Sequence, residues 1–193
     1  NVIEEALAIK QEINEEDIKN RVDLRNEEIF TIDGEDAKDL DDAVNVKEHN
    51  DGTFTLGVHI ADVSYYVKSG SKLDKEAIKR GTSVYMFDRV IPMLPKELSN
   101  GICSLNEKED RLTLSVIMEI DNEGNVISSD VKKGIINVTK RMSYNGVQAT
   151  LDAIVGKNEK GIPNKNVGVA PQGDPKTEEE AINGAKDIIA EDI

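Results

Sequence analysis

The stretch FTIDGEDAKDLDDAV, residues 30–44, places a run of acidic side chains between two hydrophobic segments. Each ionised carboxylate makes its neighbours harder to ionise, so the run is costly unless a positive group lies among the carboxylates. Lys38 is the only basic residue within it. The pattern predicts a strand, an acidic loop and a second strand. The acids are Glu35 and five aspartates: Asp33, Asp36, Asp39, Asp41 and Asp42.

Strand patterns continue on both sides of the acidic loop. EIFTI (28–32) leads into it, and DAVNVKEH (42–49) is followed by NDG, a strong hairpin turn signal, and then by TFTLGVHIADVSYYV (53–67). RLTLSVIMEI and NVISSDVKKGIINVTK predict a second hairpin around DNEG (121–124). TSVYMF (82–87) predicts a further strand. The predicted fold class is therefore α+β, with a mixed, largely antiparallel sheet and flanking helices.

Helical patterns surround these strands. Residues 3–18 carry an imperfect apolar stripe and predict one acidic helix. Ser71 predicts the start of a helix that Gly81 ends, and Pro95 predicts one helical turn. Ser143 predicts the cap of a helix over 144–155.

Changes in composition divide the chain into four segments. Residues 1–27 are predicted to be a helical lead-in, and residues 28–155 the main α+β domain. Residues 156–176 are rich in Gly, Pro, Asn and Lys and predict a linker. A capping box predicts a final helix of uncertain origin over 177–193. Because the sequence begins at Asn rather than Met, we expect it to be a piece of a longer protein.

The charge and cysteine content restrict the classes of function. The 193 residues carry a formal net charge of −14, which opposes unaided binding to nucleic acid. If the chain handles nucleic acid, the compensating positive charge must come from other domains or from a metal ion. Cys103 is the only cysteine, which excludes an intrachain disulfide framework and favours a reducing, cytoplasmic location. No apolar run approaches the length needed to span a bilayer.

The order D-x5-D-x-D-D from Asp33 to Asp42 suits a hard divalent cation. Magnesium takes oxygen ligands, keeps several waters and typically uses a few carboxylates together with substrate phosphate. Calcium is a rival, but the EF-hand pattern fails: counted from Asp33, Ala37 stands where an oxygen ligand is required and Lys38 where glycine is required. A solvated acidic surface loop and a structural calcium site remain alternatives at this point.

Several motifs together resemble the catalytic RNB domain of the RNase II/RNase R family of exoribonucleases. They are FTIDGEDAKDLDDAV, GVHIADVSYYVKSGSKLDKEAIKRGTSVY, RVIPMLPKELSNGICSLN and DRLTLSVIMEIDNEGNV, and the similarity covers roughly residues 5–150. The resemblance implies that residues 28–155 are a partial RNB-like catalytic domain. It implies magnesium-dependent hydrolysis of single-stranded RNA from the 3′ end to nucleoside 5′-monophosphates, with Mn²⁺ as a substitute ion.

The resemblance also implies roles for individual residues. Asp33 and Asp42 would be the first ligands of the ordered metal ion, and Asp39 and Asp41 would complete the site. Asp39 and Asp41 are the expected catalytic residues, with Asp41 nearest to the catalytic step. Tyr85 matches the aromatic residue that stacks on the base at the RNA 3′ end, whereas by itself a tyrosine in a strand is more often a core residue.

Three other residues have simpler interpretations. His59 and Asp62 could form an acid–base pair, but their strand positions favour a structural role. Cys103 is interpreted as a small buried apolar residue.

The resemblance places an arginine that steadies the phosphate, a second stacking aromatic and basic RNA-binding domains elsewhere in the parent protein. We therefore expect the isolated chain to be weakly active or inactive. A catalytically inactive RNA- or metal-binding module derived from the same domain is the alternative function.

Overall fold

The computed structural model describes residues 1–155. Its contacts divide the chain into two compact units. The first comprises Asn1–Thr31 and Lys38–Arg141. The second comprises Ile32–Ala37 and Met142–Ile193, of which residues up to 155 are described. The predicted linker over 156–176 and the predicted helix over 177–193 lie outside the described residues.

Strands and short helices alternate along the chain. Within residues 1–155, no helix is both long enough and apolar enough to cross a membrane. The strands are β1 (Val22–Asp23), β2 (Phe30–Asp33), β3 (Asp42–Glu48), β4 (Phe54–Ala61), β5 (Val84–Tyr85), β6 (Val90–Ile91), β7 (Asp110–Ile120), β8 (Val126–Asn137) and β9 (Lys140–Ser143). The helices are α1 (Val2–Leu7), α2 (Glu15–Ile18), α3 (Val63–Tyr66), α4 (Lys72–Arg80) and α5 (Tyr144–Val155), together with a kinked helical segment, Glu97–Ile102.

The main sheet has seven strands in the order β1-β8-β7-β4-β3-β2-β9. The pairs β2–β3, β3–β4, β4–β7 and β7–β8 are antiparallel, whereas β1 runs parallel to β8. A separate two-stranded sheet pairs β5 with β6. The structure thus confirms an α+β fold with a mixed, largely antiparallel sheet.

Both predicted hairpins are confirmed, and their turns use the expected residues. Gly52 has φ +81° and Gly124 has φ +87°, a left-handed backbone that glycine adopts without strain. The return strand of the first hairpin is shorter than predicted, since β4 ends at Ala61 rather than at Val67. Asp62 ends the strand because its carboxylate accepts a hydrogen bond from the Tyr65 amide at 3.2 Å and caps α3.

The single helix predicted over residues 3–18 is wrong. The segment forms α1 and α2 with a non-helical link between them. Asn14 caps α2 by accepting from the amides of Glu16 and Asp17, and the Asp17 carboxylate accepts from the Asn14 amide at 2.8 Å. This capping box starts a new helix instead of continuing the first.

The predicted helix between Ser71 and Gly81 is confirmed as α4. The Ser71 hydroxyl accepts a hydrogen bond from the Asp74 amide at 3.1 Å, and Gly81 ends the helix with φ +74°. A hydrophobic core cluster packs α1, α4 and the kinked helical segment together. Its buried members include Ala6, Leu73, Leu98, Ile102 and Cys103.

The hairpin formed by β5 and β6, residues 84–91, is exposed along its length. The strand predicted over 82–87 is shorter in the structure, where β5 has two residues. The Met86 amide donates to the Arg89 carbonyl at 2.8 Å and closes the turn. The Arg80 guanidinium donates to the Pro92 carbonyl at 2.9 Å and attaches the base of the hairpin to α4. Phe87, at the turn, is fully exposed.

Candidate active site

The segment that carries Asp39 is fixed by buried hydrogen bonds. The Leu40 amide donates to the Ser104 hydroxyl oxygen at 3.1 Å, and the Ser104 hydroxyl donates to the Lys38 carbonyl at 2.9 Å. The Leu105 amide donates to the Leu40 carbonyl at 2.8 Å. Because the Leu40 side chain is also buried, the backbone is anchored on both sides of Asp39.

Asp41 and Asp42 follow at the start of β3. The Asp41 carbonyl accepts from the Ala61 amide at 3.0 Å, and Asp42 lies opposite Ile60 in the β3–β4 ladder. Both aspartates are exposed, whereas Asp39 is half-buried. The first unit therefore presents three predicted carboxylate ligands on a short segment whose backbone is held by a strand and a loop.

Asp33 belongs to the second unit, where it is the last residue of β2 and is half-buried. A turn follows it, in which the Ala37 amide donates to the Gly34 carbonyl at 3.0 Å. The Asn145 side chain, in α5, contacts the Glu35 carboxylate at 3.4 Å. These contacts order the first half of the acidic stretch against the helix that Ser143 caps as predicted.

The donor chemistry of these aspartates fits a hard divalent cation. In residues 1–155, no group of three or more acidic, histidine or cysteine side chains is arranged to hold a metal ion. Convergence of the four aspartates therefore stays a prediction. Magnesium is usually bound through one or two carboxylates plus waters and substrate phosphates, so it does not require a preformed cage of protein ligands.

Tyr85 lies beside the acidic segment. Its hydroxyl donates a hydrogen bond to the Asp39 carboxylate. This bond raises the pKa of the Tyr85 phenol to about 12, so the group remains a donor at neutral pH. The residue is 64% exposed, which contradicts the alternative that Tyr85 is a core residue. The residue with this exposed aromatic ring is thus hydrogen-bonded to a predicted metal ligand, Asp39.

His59 is a structural residue. Asn45 Oδ1 can only accept, so His59 Nε2 donates to it at 2.9 Å and His59 Nδ1 accepts from the Ser115 hydroxyl at 2.8 Å. The Ser115 oxygen then accepts from the Thr113 hydroxyl at 2.9 Å. Gly57 leaves the room for this network, since a Cβ there would lie 2.0 Å from Asn45 Oδ1. Both ring nitrogens are occupied within a buried network, which confirms the structural interpretation.

Asp62 is equally enclosed. Its carboxylate contacts the Arg21 guanidinium at 2.6 Å, and the side chains of both residues are almost fully buried. It also accepts from the Ser64 hydroxyl at 2.9 Å. Cys103 is buried as predicted, and burial raises the pKa of its thiol to about 12. Neither residue presents a reactive group to a substrate.

The burial of His59 predicts a pH-dependent stability. Burial lowers the pKa of His59 from 6.5 to about 4, so between these values the unfolded chain binds the proton more readily than the folded chain. The stabilisation is complete above pH 6.5 and is lost as the pH falls towards 4, by up to about 3 kcal/mol. Urea unfolding at pH 7 and pH 5 measures this loss.

A variant of the other histidine, His49, serves as the control for the pH dependence assigned to His59. His49 is half-buried and its ring contacts the Thr55 hydroxyl. We expect a His49→Gln variant to keep the pH dependence of the parent chain. A His59 ring that titrates near 6.5 by NMR in the folded chain would contradict the prediction.

Curated proteins and one family match this chain. Residues 21–182 match the RNB domain, a range wider at both ends than the predicted catalytic segment 28–155. Ribonuclease R 1 of Lactococcus lactis is 58% identical over 146 residues, which are 76% of this chain and 18% of that protein. Ribonuclease R of Thermotoga maritima is 58% identical over 151 residues, which are 78% of this chain and 21% of that protein. The chain thus spans about a fifth of the length of these relatives.

Solved structures show the same fold. Mycoplasma genitalium RNase R in complex with double-stranded RNA has a TM-score of 0.75 and 29% identity, and the alignment covers 95% of this chain and 30% of that one. Yeast Ssd1, described as a pseudonuclease, has a TM-score of 0.63 and 25% identity, over 73% of this chain and 17% of that one. Together with the sequence matches, these structures show that the chain belongs to the RNB domain family.

Proposed function

We propose that this chain is part of a magnesium-dependent hydrolytic 3′→5′ exoribonuclease of the RNase R type. Its substrate is single-stranded RNA, and its products are nucleoside 5′-monophosphates. The observation that carries the proposal is the 58% identity to two proteins named Ribonuclease R, over three quarters of the chain. The anchored carboxylates of the first unit add support, because they are hard oxygen donors on a fixed backbone.

The proposed ligands of Mg²⁺ or Mn²⁺ are Asp33, Asp39, Asp41 and Asp42. A bound divalent ion supplies a water of lowered pKa and stabilises charge that develops on phosphodiester oxygens. Asp41 and Asp42 are exposed, so an ion from solvent has access to their carboxylates. The ion also offsets part of the negative charge that would otherwise repel RNA from a chain of net charge −14.

Tyr85 is the proposed stacking surface for the base at the RNA 3′ end. Its ring is exposed, and its hydroxyl is hydrogen-bonded to Asp39. Stacking on an aromatic ring tolerates every base, which suits an enzyme that degrades RNA without sequence preference. Structures of Mycoplasma genitalium RNase R with double-stranded RNA and with ribose-methylated single-stranded RNA support RNA as the ligand class.

We expect Tyr85→Ala to weaken binding of a short single-stranded RNA by about 5- to 150-fold, since stacking contributes about 1–3 kcal/mol per base. Tyr85→Phe keeps the ring and should stay within about threefold of the parent chain. Fluorescence anisotropy with a 5′-labelled oligonucleotide, which leaves the 3′ end free, and Mg²⁺ measures both. Tyr144, which is also exposed, provides the matched control Tyr144→Ala. Equal losses in Tyr85→Ala and Tyr144→Ala would refute the stacking role.

Incubation of the chain with end-labelled single-stranded RNA and Mg²⁺ tests the proposed reaction. The expected result is slow release of nucleoside 5′-monophosphates from the 3′ end, which stops when Mg²⁺ is chelated. The competing function is an inactive RNA- or metal-binding module, and the similarity to a pseudonuclease favours keeping it as the alternative. RNA that stays intact while Mn²⁺ still binds would support the module. Binding selective for Ca²⁺ and indifferent to nucleotide would support a structural calcium site.

A further inference from the structure

We infer that Ser104 is a positioning residue that fixes Asp39 for divalent-ion binding. This inference rests on the proposed function, because it assumes that Asp39 is a metal ligand. Ser104 lies in the loop between the kinked helical segment Glu97–Ile102 and β7, and its side chain is fully buried. The residue has no direct contact with solvent, so its effect on a metal ion would act through Asp39.

One hydroxyl group connects the peptide groups on both sides of Asp39. Ser104 Oγ accepts from the Leu40 amide at 3.1 Å and donates to the Lys38 carbonyl at 2.9 Å. Asn106 Oδ1 is a second acceptor for the same hydroxyl proton, at 3.1 Å from Ser104 Oγ. The backbone of Asp39 is therefore held at its carbonyl end and at its amide end by a single side chain, which fixes the direction in which the Asp39 side chain leaves the backbone.

Arg111 fixes Ser104 in turn. The Arg111 Nε donates to the Ser104 carbonyl at 2.7 Å, and Nη1 donates to the Asp110 carbonyl at 2.8 Å. Nη2 contacts the Gly101 carbonyl at 3.3 Å, at the end of the kinked helical segment. Arg111 is itself buried and lies in β7, a central strand of the sheet. The contacts thus extend from a sheet strand through Ser104 to the segment that carries Asp39.

The Asp39 side chain is held from a second direction. Its carboxylate accepts the hydrogen bond from Tyr85, while Ser104 holds the backbone beneath it. Residues that orient a metal ligand commonly affect metal affinity by about 10- to 100-fold when they are replaced. Loss of the Ser104 hydroxyl should therefore weaken metal binding beyond its effect on stability.

Ser104→Ala and Ser115→Ala form a matched pair of variants. Both serines are fully buried and both hydroxyls make hydrogen bonds, but Ser115 belongs to the His59 network and does not contact the acidic segment. The 193-residue chain is titrated with Mn²⁺, and free Mn²⁺ is followed by electron paramagnetic resonance. We expect Ser104→Ala to bind Mn²⁺ about tenfold more weakly. The Mn²⁺ affinity of Ser115→Ala should remain within twofold of that of the parent chain. The melting temperature of Ser115→Ala should nevertheless fall by about as much as that of Ser104→Ala.

A second measurement does not depend on the metal. Amide hydrogen exchange at Leu40, followed by NMR, should be at least about tenfold faster in Ser104→Ala, because the amide loses its buried acceptor. If Ser104→Ala does not fold, Ser104→Cys provides a side chain of similar shape with weaker hydrogen bonding. Its Mn²⁺ affinity should then be lower, and its Leu40 amide exchange faster, than in the parent chain, but by less than is expected for Ser104→Ala.

The outcomes separate the inference from the proposed function. If the parent chain binds no Mn²⁺, the metal site of the proposed function fails and the inference fails with it. If the parent chain binds Mn²⁺ and Ser104→Ala binds it equally well, only the inference is overturned. Equal weakening in Ser104→Ala and Ser115→Ala would show that Ser104 acts through general stability, and this result also overturns the inference.

Discussion

Replacement of Arg21 by methionine is expected to lower the free energy of unfolding by about 3–5 kcal/mol, because it leaves the Asp62 carboxylate buried without its cation. The Arg21–Asp62 pair has a separation of 2.6 Å, with 4% and 3% of the two side chains exposed. Removing one partner of a buried pair costs far more than the pair itself contributes, since the remaining charge has no water to solvate it.

Arg21 also connects separate elements. Its Nε donates to the Asp17 carbonyl at 3.1 Å, and Nη1 donates to the carbonyls of Thr113 and Gly134 at 3.2 and 3.3 Å. The guanidinium lies 5.1 Å from the centre of the Tyr65 ring. Methionine can replace the aliphatic packing but none of these donors, so the loss should fall at the large end of single-substitution effects.

Urea unfolding of Arg21→Met measures this loss, with Arg25→Met as the control. Arg25 also pairs with two aspartates, but its side chain is 36% exposed, and such pairs contribute at most about 1 kcal/mol. The double variant Arg21→Met with Asp62→Leu should recover much of the stability, because no unpaired charge remains. A loss below 1 kcal/mol in Arg21→Met would refute the role assigned to the buried pair.

The second large effect concerns catalysis. Under the proposed function, any mononucleotide release by the parent chain should fall by at least about 100-fold in Asp41→Asn, since an amide oxygen is a neutral and weaker ligand for a hard cation. The side chain of Asp41 is exposed, and its backbone carbonyl keeps the hydrogen bond from the Ala61 amide. Stability should therefore stay within about 0.5 kcal/mol of the parent chain.

Asp36→Asn provides the matched control for Asp41→Asn. Asp36 is an exposed aspartate of the same acidic stretch, and no metal-binding role is proposed for it. The control should release mononucleotides at the rate of the parent chain, to within about twofold. Undiminished release by Asp41→Asn, with unchanged stability, would contradict the catalytic role proposed for Asp41.

Local sequence chemistry predicted the elements whose ends are set by neighbouring residues. The two hairpins and α4 follow from Gly52, Gly124 and the Ser71 cap, each of which acts within a few residues of its position. The prediction failed where longer-range contacts decide the structure. β4 stops at Ala61 because the next residue, Asp62, caps α3 and pairs with Arg21, which is 41 positions away in the sequence.

The same distinction applies to the candidate site. The acidic stretch could be identified because its residue types and order carry the signal, whereas Tyr85 was identified only because the motif around it resembles that of the family. Ser104 could not, since its partners Leu40 and Lys38 lie 64 and 66 positions away. The hydrogen bonds of His59 to Asn45 and Ser115 likewise depend on strand register, which no short motif specifies.

The most direct test of the central claim is the affinity of the chain for Mn²⁺. The free ion is measured by electron paramagnetic resonance during titration of the parent chain and of a variant with Asp39, Asp41 and Asp42 all replaced by asparagine. The account predicts saturable binding that Mg²⁺ displaces, and a loss of affinity of at least about tenfold in the variant. Equal Mn²⁺ affinity in the two proteins would contradict the claim that these aspartates bind a divalent ion.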